Sequence, residues 1–364
     1  VQVVHTALVL NAVTAVPAVN AAEVPADSES TKPRAPESAL SRLWTSPVGT
    51  GLRALLAILP LAYLAKKLDL SLVLANAERV GAKGIALSAL SMTVSIALAS
   101  LRWRVLLRSY GANEATLPST FALFKAYLVG CYFNVLPSGV AGDVVRGWRV
   151  AHCVPTAATS YVVLLLERLA GLVGLLLIAG IAVLFAPEHA AHGALGYALS
   201  VGALGAIGIG LMFFALPQWR DRSPKLAALV EKIPVAGAMF AKVPAARTAR
   251  GPLAALALSV LVQGLIVLCV APLLIPLSSQ ATLSVCARIV PAVVLVTYVP
   301  LTPGGLGQRE AAFAHFFGSA GVAREASVTA SLLFFAVMLG VSLLGGVVIA
   351  IERVTARRGN TDAV

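Results

Sequence analysis

Apolar residues come in long unbroken runs, separated by short polar stretches. The runs lie at about 48–65, 84–101, 119–136, 156–186, 194–216, 252–275, 283–301 and 326–351. A helix needs about 20 apolar residues to cross a hydrocarbon core of roughly 30 Å. Strands of a membrane barrel would alternate instead, and these Leu-, Ala- and Val-rich runs do not. The pattern therefore predicts an all-α, polytopic membrane helical bundle. The polar connection 66–83 predicts a short amphipathic helix around 70–79. Helical pieces are also predicted at 142–152 and 308–318.

Two of the runs end in a break rather than a loop. The first reads Asn134-Val135-Leu136-Pro137-Ser138-Gly139-Val140-Ala141-Gly142-Asp143-Val144-Val145-Arg146. The second reads Pro300-Leu301-Thr302-Pro303-Gly304-Gly305-Leu306-Gly307-Gln308-Arg309-Glu310. Each breaks at a proline and small residues, then restarts as a helix that carries an acid and an arginine. Proline removes a backbone donor and glycine weakens a helix interior. Inside a membrane, such breaks persist only where protein or a wet cavity receives the freed backbone groups. Matching breaks in the two halves of a chain point to a transporter site.

Charge sets the orientation. Of 364 residues, 59% are hydrophobic and only 12% charged, and the net charge is +12. A soluble domain carries about 25% charged residues. The basic residues read as cytoplasmic loops, with no soluble basic face for nucleic acid. Arg102, Trp103, Arg104 and Arg108 mark an inner end, with Trp103 at the interface, and 217–250 is the most basic stretch. Loop 187–193 lacks Lys and Arg and is expected outside, while Arg353, Arg357 and Arg358 put the C-terminus in the cytoplasm. Segment 119–152 must then enter and leave from the inside, and 283–320 from the outside. The expectation is about six full spans plus two inverted re-entrant or broken helical segments. Lys66, Lys67, Arg79 and Lys83 would lie outside, against the charge rule.

Three regions are expected: a disordered or signal-like segment at 1–46, a transmembrane domain at 47–352 and a basic cytoplasmic tail at 353–364. Cys131, Cys153, Cys269 and Cys286 have no CxxC spacing and read as small core residues. Neither they nor the histidines form a metal pattern, and no cofactor is implied.

The chemistry concentrates at the breaks. A helix N-terminus offers free N–H groups and roughly half a positive charge, which suits phosphate. Arg146 and Arg309 stand near those termini, and arginine grips phosphate oxygens in a bidentate fork. Asp143 and Glu310 either hold these arginines, carry a proton, or simply stabilise a first helical turn. Glu167-Arg168 lies inside a long apolar run, where charge is costly and functional by default. Arg149 and Arg324 read as interface anchors, and Lys125 as snorkelling. The candidate substrate-binding set is Asn134, Pro137, Gly139, Gly142, Asp143, Arg146, Glu167, Arg168, Pro303, Gly304, Gly305, Gly307, Arg309 and Glu310.

At these residues the chain resembles a family, the membrane region of lysylphosphatidylglycerol synthases, a large group of flippase-like proteins. Four stretches carry the resemblance: 99–108, Asn134 to Arg146, Glu167-Arg168, and Thr302-Pro303-Gly304-Gly305-Leu306-Gly307 with Glu310. It implies a multi-pass protein of the bacterial inner membrane that translocates an anionic or aminoacylated phospholipid. Some relatives act near lipid-linked sugars, so a membrane enzyme or accessory subunit of glycolipid biosynthesis is the alternative. Many members carry an acid where this chain has Gly171, which weakens a proton relay there. No aminoacyltransferase domain follows Asn360, so synthesis of lysyl-lipid by this chain alone is not expected. The implied partners are a phospholipid or lipid-linked substrate, the membrane and, as an option, a second copy of the chain.

Overall fold

The computed structural model describes residues 70–135, 141–184, 246, 250–298, 302 and 305–361. Segment 1–46, span 48–65, loop 187–193, span 194–216 and most of the basic stretch 217–250 lie outside the described residues. So do the cores of both breaks, with Pro137, Gly139, Pro303 and Gly304.

The regular elements among the described residues are all helices, without a strand. The helices are α1 (Leu70–Ser109), α2 (Thr120–Val135), α3 (Ala141–Arg149), α4 (Ala157–Leu184), α5 (Arg250–Leu274), α6 (Leu283–Tyr298), α7 (Gln308–Ser319) and α8 (Arg324–Thr361). Four of these are long and apolar enough to cross a membrane: α1, α4, α5 and α8. The protein is thus a multi-pass helical membrane bundle.

Helix α1 joins the expected amphipathic helix to the expected span. The junction is Gly81, at φ 61° and ψ 178°, a conformation open essentially to glycine. The span runs on to Ser109, well past the expected end at 101. The reason is packing. Arg102 and Trp103 lie inside the bundle at 5% and 0% exposure, so Trp103 is a core residue and not an interface anchor.

Helices α1 and α5 lie antiparallel along their length. Ser88 meets Cys269, Ser95 donates to the Val262 carbonyl, Arg102 reaches Ser259, and Gly251 abuts Ser109. Close approach rests on small residues, as membrane helices without a hydrophobic drive between them require. A Cβ on Gly174 of α4 would fall 2.7 Å from the backbone of Ser259.

Both broken segments are helical hairpins. Going along α3, Gly142 meets Asn134 and then Arg146 meets Gly130, so α3 folds back antiparallel on α2. Likewise Gln308 donates to the Val296 carbonyl, Phe316 packs on Ala292, and Gly321 comes back to Gln280. With 16 residues each, α2 and α6 are about 24 Å long at roughly 1.5 Å per residue, short of a full crossing.

The two hairpins enter from opposite ends. The ends of α2 and α3 lie with the C-terminus of α1 and the start of α5. Arg104 donates to the Pro118 carbonyl, Asn113 to the Cys153 carbonyl, and Arg149 to Glu352 near the end of α8. Gly84 packs on Pro272 at the other end, where α6 begins and α7 finishes. The inversion expected from charge is present in the packing. Arg104, Arg108, Arg149 and Arg250 gather at the first end.

Candidate substrate site at the broken helices

The first hairpin is closed by side chains of its own motif. Asn134 Oδ1 accepts a hydrogen bond from the Gly142 N–H at 3.0 Å, tying the two sides of the break. Gly142 has no room for a side chain, because a Cβ would stand 2.0 Å from the Gly130 carbonyl oxygen. Gly130 in turn lies against the Arg146 stem, where a Cβ would stand 2.6 Å from Cδ. These two glycines let α3 lie flat on α2 and send Arg146 into the bundle.

Arg146 is 5% exposed and lies between two rings, 3.8 Å from the Tyr127 centroid and 4.4 Å from that of Trp103. Cation–π contacts of this kind strengthen when desolvated. Its Nη2 donates to Glu167 Oε2. Glu167, 2% exposed, also accepts at Oε1 from Arg102 Nη2 at 2.9 Å and from Tyr127 Oη at 3.1 Å. Arg102 Nη1 donates to Ser259 Oγ at 3.0 Å. Asp143 lies beside this cage, 3.5 Å from Arg146, and accepts from Arg168 Nε at 2.7 Å. Arg168 is half-exposed.

Burial demands that charge be balanced. Among the described residues, Glu167 holds Arg102 and Arg146, and Asp143 holds Arg168 and stands beside Arg146. Three donors in this cluster are buried without a partner: Arg102 Nε, Arg146 Nε and Trp103 Nε1.

The second hairpin is built differently. Gly307, at φ 77°, precedes α7, and its N–H donates to Glu310 Oε2 at 2.6 Å. Glu310 Oε1 accepts from Arg309 Nη2 at 2.8 Å and from Ser331 Oγ at 3.1 Å. Arg309 faces the Phe335 ring at 4.6 Å and also reaches Ser331. Glu310 is fully buried and Arg309 is 4% exposed, so this pair is neutral and sealed. Gly305, at φ 71°, turns the chain just before it. Thr302, in the break itself, has a buried hydroxyl with no partner.

Arg146 and Arg309 therefore sit in separate networks, each committed to a carboxylate of its own half. The described ends of the two hairpins nevertheless come near one another in level along α4. Leu295 packs on Leu176 and Ala292 on Ala179, so α6 runs antiparallel to α4. Carried on, that spacing brings the end of α6 within about 8 Å of the level of Arg168, counted along the helix axis.

Tyr127, Ser259 and Ser331 belong to these clusters without a mark in the sequence, and Arg102 and Trp103, which the sequence offers only as an inner-end cluster, belong to them too. A signal for Arg102 exists: Ser88, Ser95 and Arg102 recur at seven-residue spacing, a polar stripe on one face of α1. Arg149, read as an interface anchor, is bound in both prongs to Glu352 at 3.1 and 2.8 Å. Lys125 stands over the Phe121 ring at 5.5 Å. Cys153, Cys269 and Cys286 are buried and free, as core residues are. Among the described residues no group of His, Cys, Asp and Glu is arranged to hold a metal.

The family model described as the lysylphosphatidylglycerol synthase TM region matches residues 51–346. No curated protein and no solved structure gave a match. The family match covers most of the chain, including both hairpins and the buried Glu167 cage, and so the protein belongs to the family of the lysylphosphatidylglycerol synthase transmembrane region.

Proposed function

We propose that the protein is a lipid flippase that moves an anionic or aminoacylated phospholipid across the bacterial inner membrane. The carrying observation is the cage around Glu167, where three buried donors, Arg102 Nε, Arg146 Nε and Trp103 Nε1, stand without partners. A lipid phosphate supplies the missing acceptors. Arg146 and Arg102 would hold it, with Asn134 and Gly142 fixing the two sides of the break beside them. Arg168 is the exposed side of the same cluster and would meet the headgroup first. Asp143 and Glu167 would orient the arginines.

The second break supplies the opposite wall. Thr302 offers a buried hydroxyl without a partner, and Pro303, Gly304, Gly305 and Gly307 would let the chain approach the headgroup closely. Arg309 joins the site only when its bond to Glu310 opens, so this half acts as the gate. Pro137 and Gly139 would give the first break the same freedom. The basic end of the bundle faces the cytoplasm in this reading, and with it the C-terminus.

The test is lipid movement by the purified protein in liposomes. Headgroup-labelled phosphatidylglycerol, lysyl-phosphatidylglycerol and a polyprenyl-phosphate sugar would be compared, with the Arg146→Ala/Arg309→Ala double variant as control. Movement of one lipid, lost in the variant, is the expected result and names the substrate class. A correctly folded protein that moves none of them overturns the reading. Turnover of the polyprenyl-phosphate sugar would instead make the protein a membrane enzyme.

A further inference from the structure

Arg288 lies inside α6, in the apolar stretch Leu283–Tyr298, and belongs to neither cluster described above. It is part-buried, its Nε is buried without an acceptor, and it makes no ion pair among the described residues. Its place on the helix is defined by its neighbours at i+4 and i+7. Ala292 packs on Ala179 and Leu295 on Leu176, so Arg288 extends the stripe of α6 that faces α4. Helix α4 carries the matching stripe. Arg168, Leu172, Leu176 and Ala179 follow one another on one face, with the half-exposed Arg168 at its inner end.

The seam between α4 and α6 therefore has a guanidinium at each end and small or apolar side chains between. Arg168 stands by the first break, at mid-depth. Arg288 stands close to the start of α6, at the end of the bundle remote from Arg104, Arg108 and Arg149. The two levels are separated by about 22 Å along α4. An arginine inside a membrane needs an anionic or carbonyl partner, and the described residues give Arg288 no ion pair.

We propose that Arg288 is a second phosphate ligand and that the α4–α6 seam is the track along which the lipid headgroup passes between it and Arg168. The acyl chains stay in the bilayer while the headgroup moves along the seam. The seam is closed on Ala179 and Ala292, both buried, so passage requires α6 to part from α4 there. This inference rests on the flippase reading and adds to it the route and the outer station.

The experiment uses the full chain in liposomes with headgroup-labelled phosphatidylglycerol. Arg288→Gln is expected to slow translocation about tenfold, the effect of one lost charge-assisted hydrogen bond, and Arg288→Lys to restore part of it. Independently, Ala179→Cys/Ala292→Cys, in a background free of the four native cysteines, is expected to block movement when oxidised and to recover on reduction. Normal movement in both the Arg288→Gln and the oxidised proteins would overturn the track while leaving the flippase reading intact. Absence of any lipid movement in the unaltered protein would instead remove the flippase reading and the track with it. Loss of movement in the oxidised protein alone would retain the seam and remove Arg288 as its ligand.

Discussion

At the scale of single residues, Glu167 holds the centre of the first hairpin. It satisfies two buried guanidiniums and the Tyr127 hydroxyl at once. Removing one partner of a buried pair leaves an uncompensated charge, so Glu167→Ala should cost about 3–5 kcal/mol. Thermal unfolding in detergent would read this as a large fall in Tm. Tyr127→Phe removes one hydrogen bond and keeps the ring under Arg146, and should cost about 1 kcal/mol. The sequence marks Glu167 clearly, because a charge in an apolar run announces itself. It does not mark the partner. Arg102 lies where a basic cluster ends a span, and the same residues serve equally as an interface belt or as core. Only the packing of α1 on α5 decides between them.

At the scale of elements, two glycines do different work. Gly81 sits at positive φ in open space, so Gly81→Ala is penalised by backbone conformation alone, about 1–3 kcal/mol. Gly142 has no conformational demand of that kind, but its missing Cβ is what admits the Gly130 carbonyl. Gly142→Ala should therefore push α3 off α2 and abolish lipid movement even where the protein still folds. A cysteine pair across the α2–α3 contact, tested for disulfide formation in each variant, would show the displacement. Helix ends at the breaks are legible from proline and glycine, and α2, α3, α6 and α7 begin and end near the expected positions. The hairpin closures are not legible. Asn134 bonding across the first break and Glu310 across the second are contacts between residues on either side of a turn whose geometry the sequence leaves open.

At the scale of the whole molecule, the charge pattern and the packing agree on two inverted hairpins entering from opposite ends. Cysteines placed at Arg108 or Arg250 should react with a membrane-impermeant reagent from the cytoplasmic side only. Those placed at Gln280 or Gly321 should react from the other side only. Equal labelling of both sets from one face would refute the inversion. Composition alone announces a membrane protein, and the run lengths give the four long spans among the described residues. Run length could not show that α1 continues to Ser109, because its last turns are held by charged and aromatic side chains buried within the bundle.

The hairpins also have an electrical consequence. Each arm is shorter than the hydrocarbon core, and the end of α6 stands within about 8 Å of the level of Arg168 along α4. If water follows each hairpin to its break, the membrane potential falls mostly across that short interval. An anionic headgroup then crosses nearly the whole field in a single step, for which one elementary charge exchanges about 2.3 kcal/mol per 100 mV. Movement of phosphatidylglycerol should accordingly respond steeply to an imposed potential. Movement of a lysyl-phosphatidylglycerol of opposite net charge should respond with the opposite sign, and a zwitterionic lipid hardly at all.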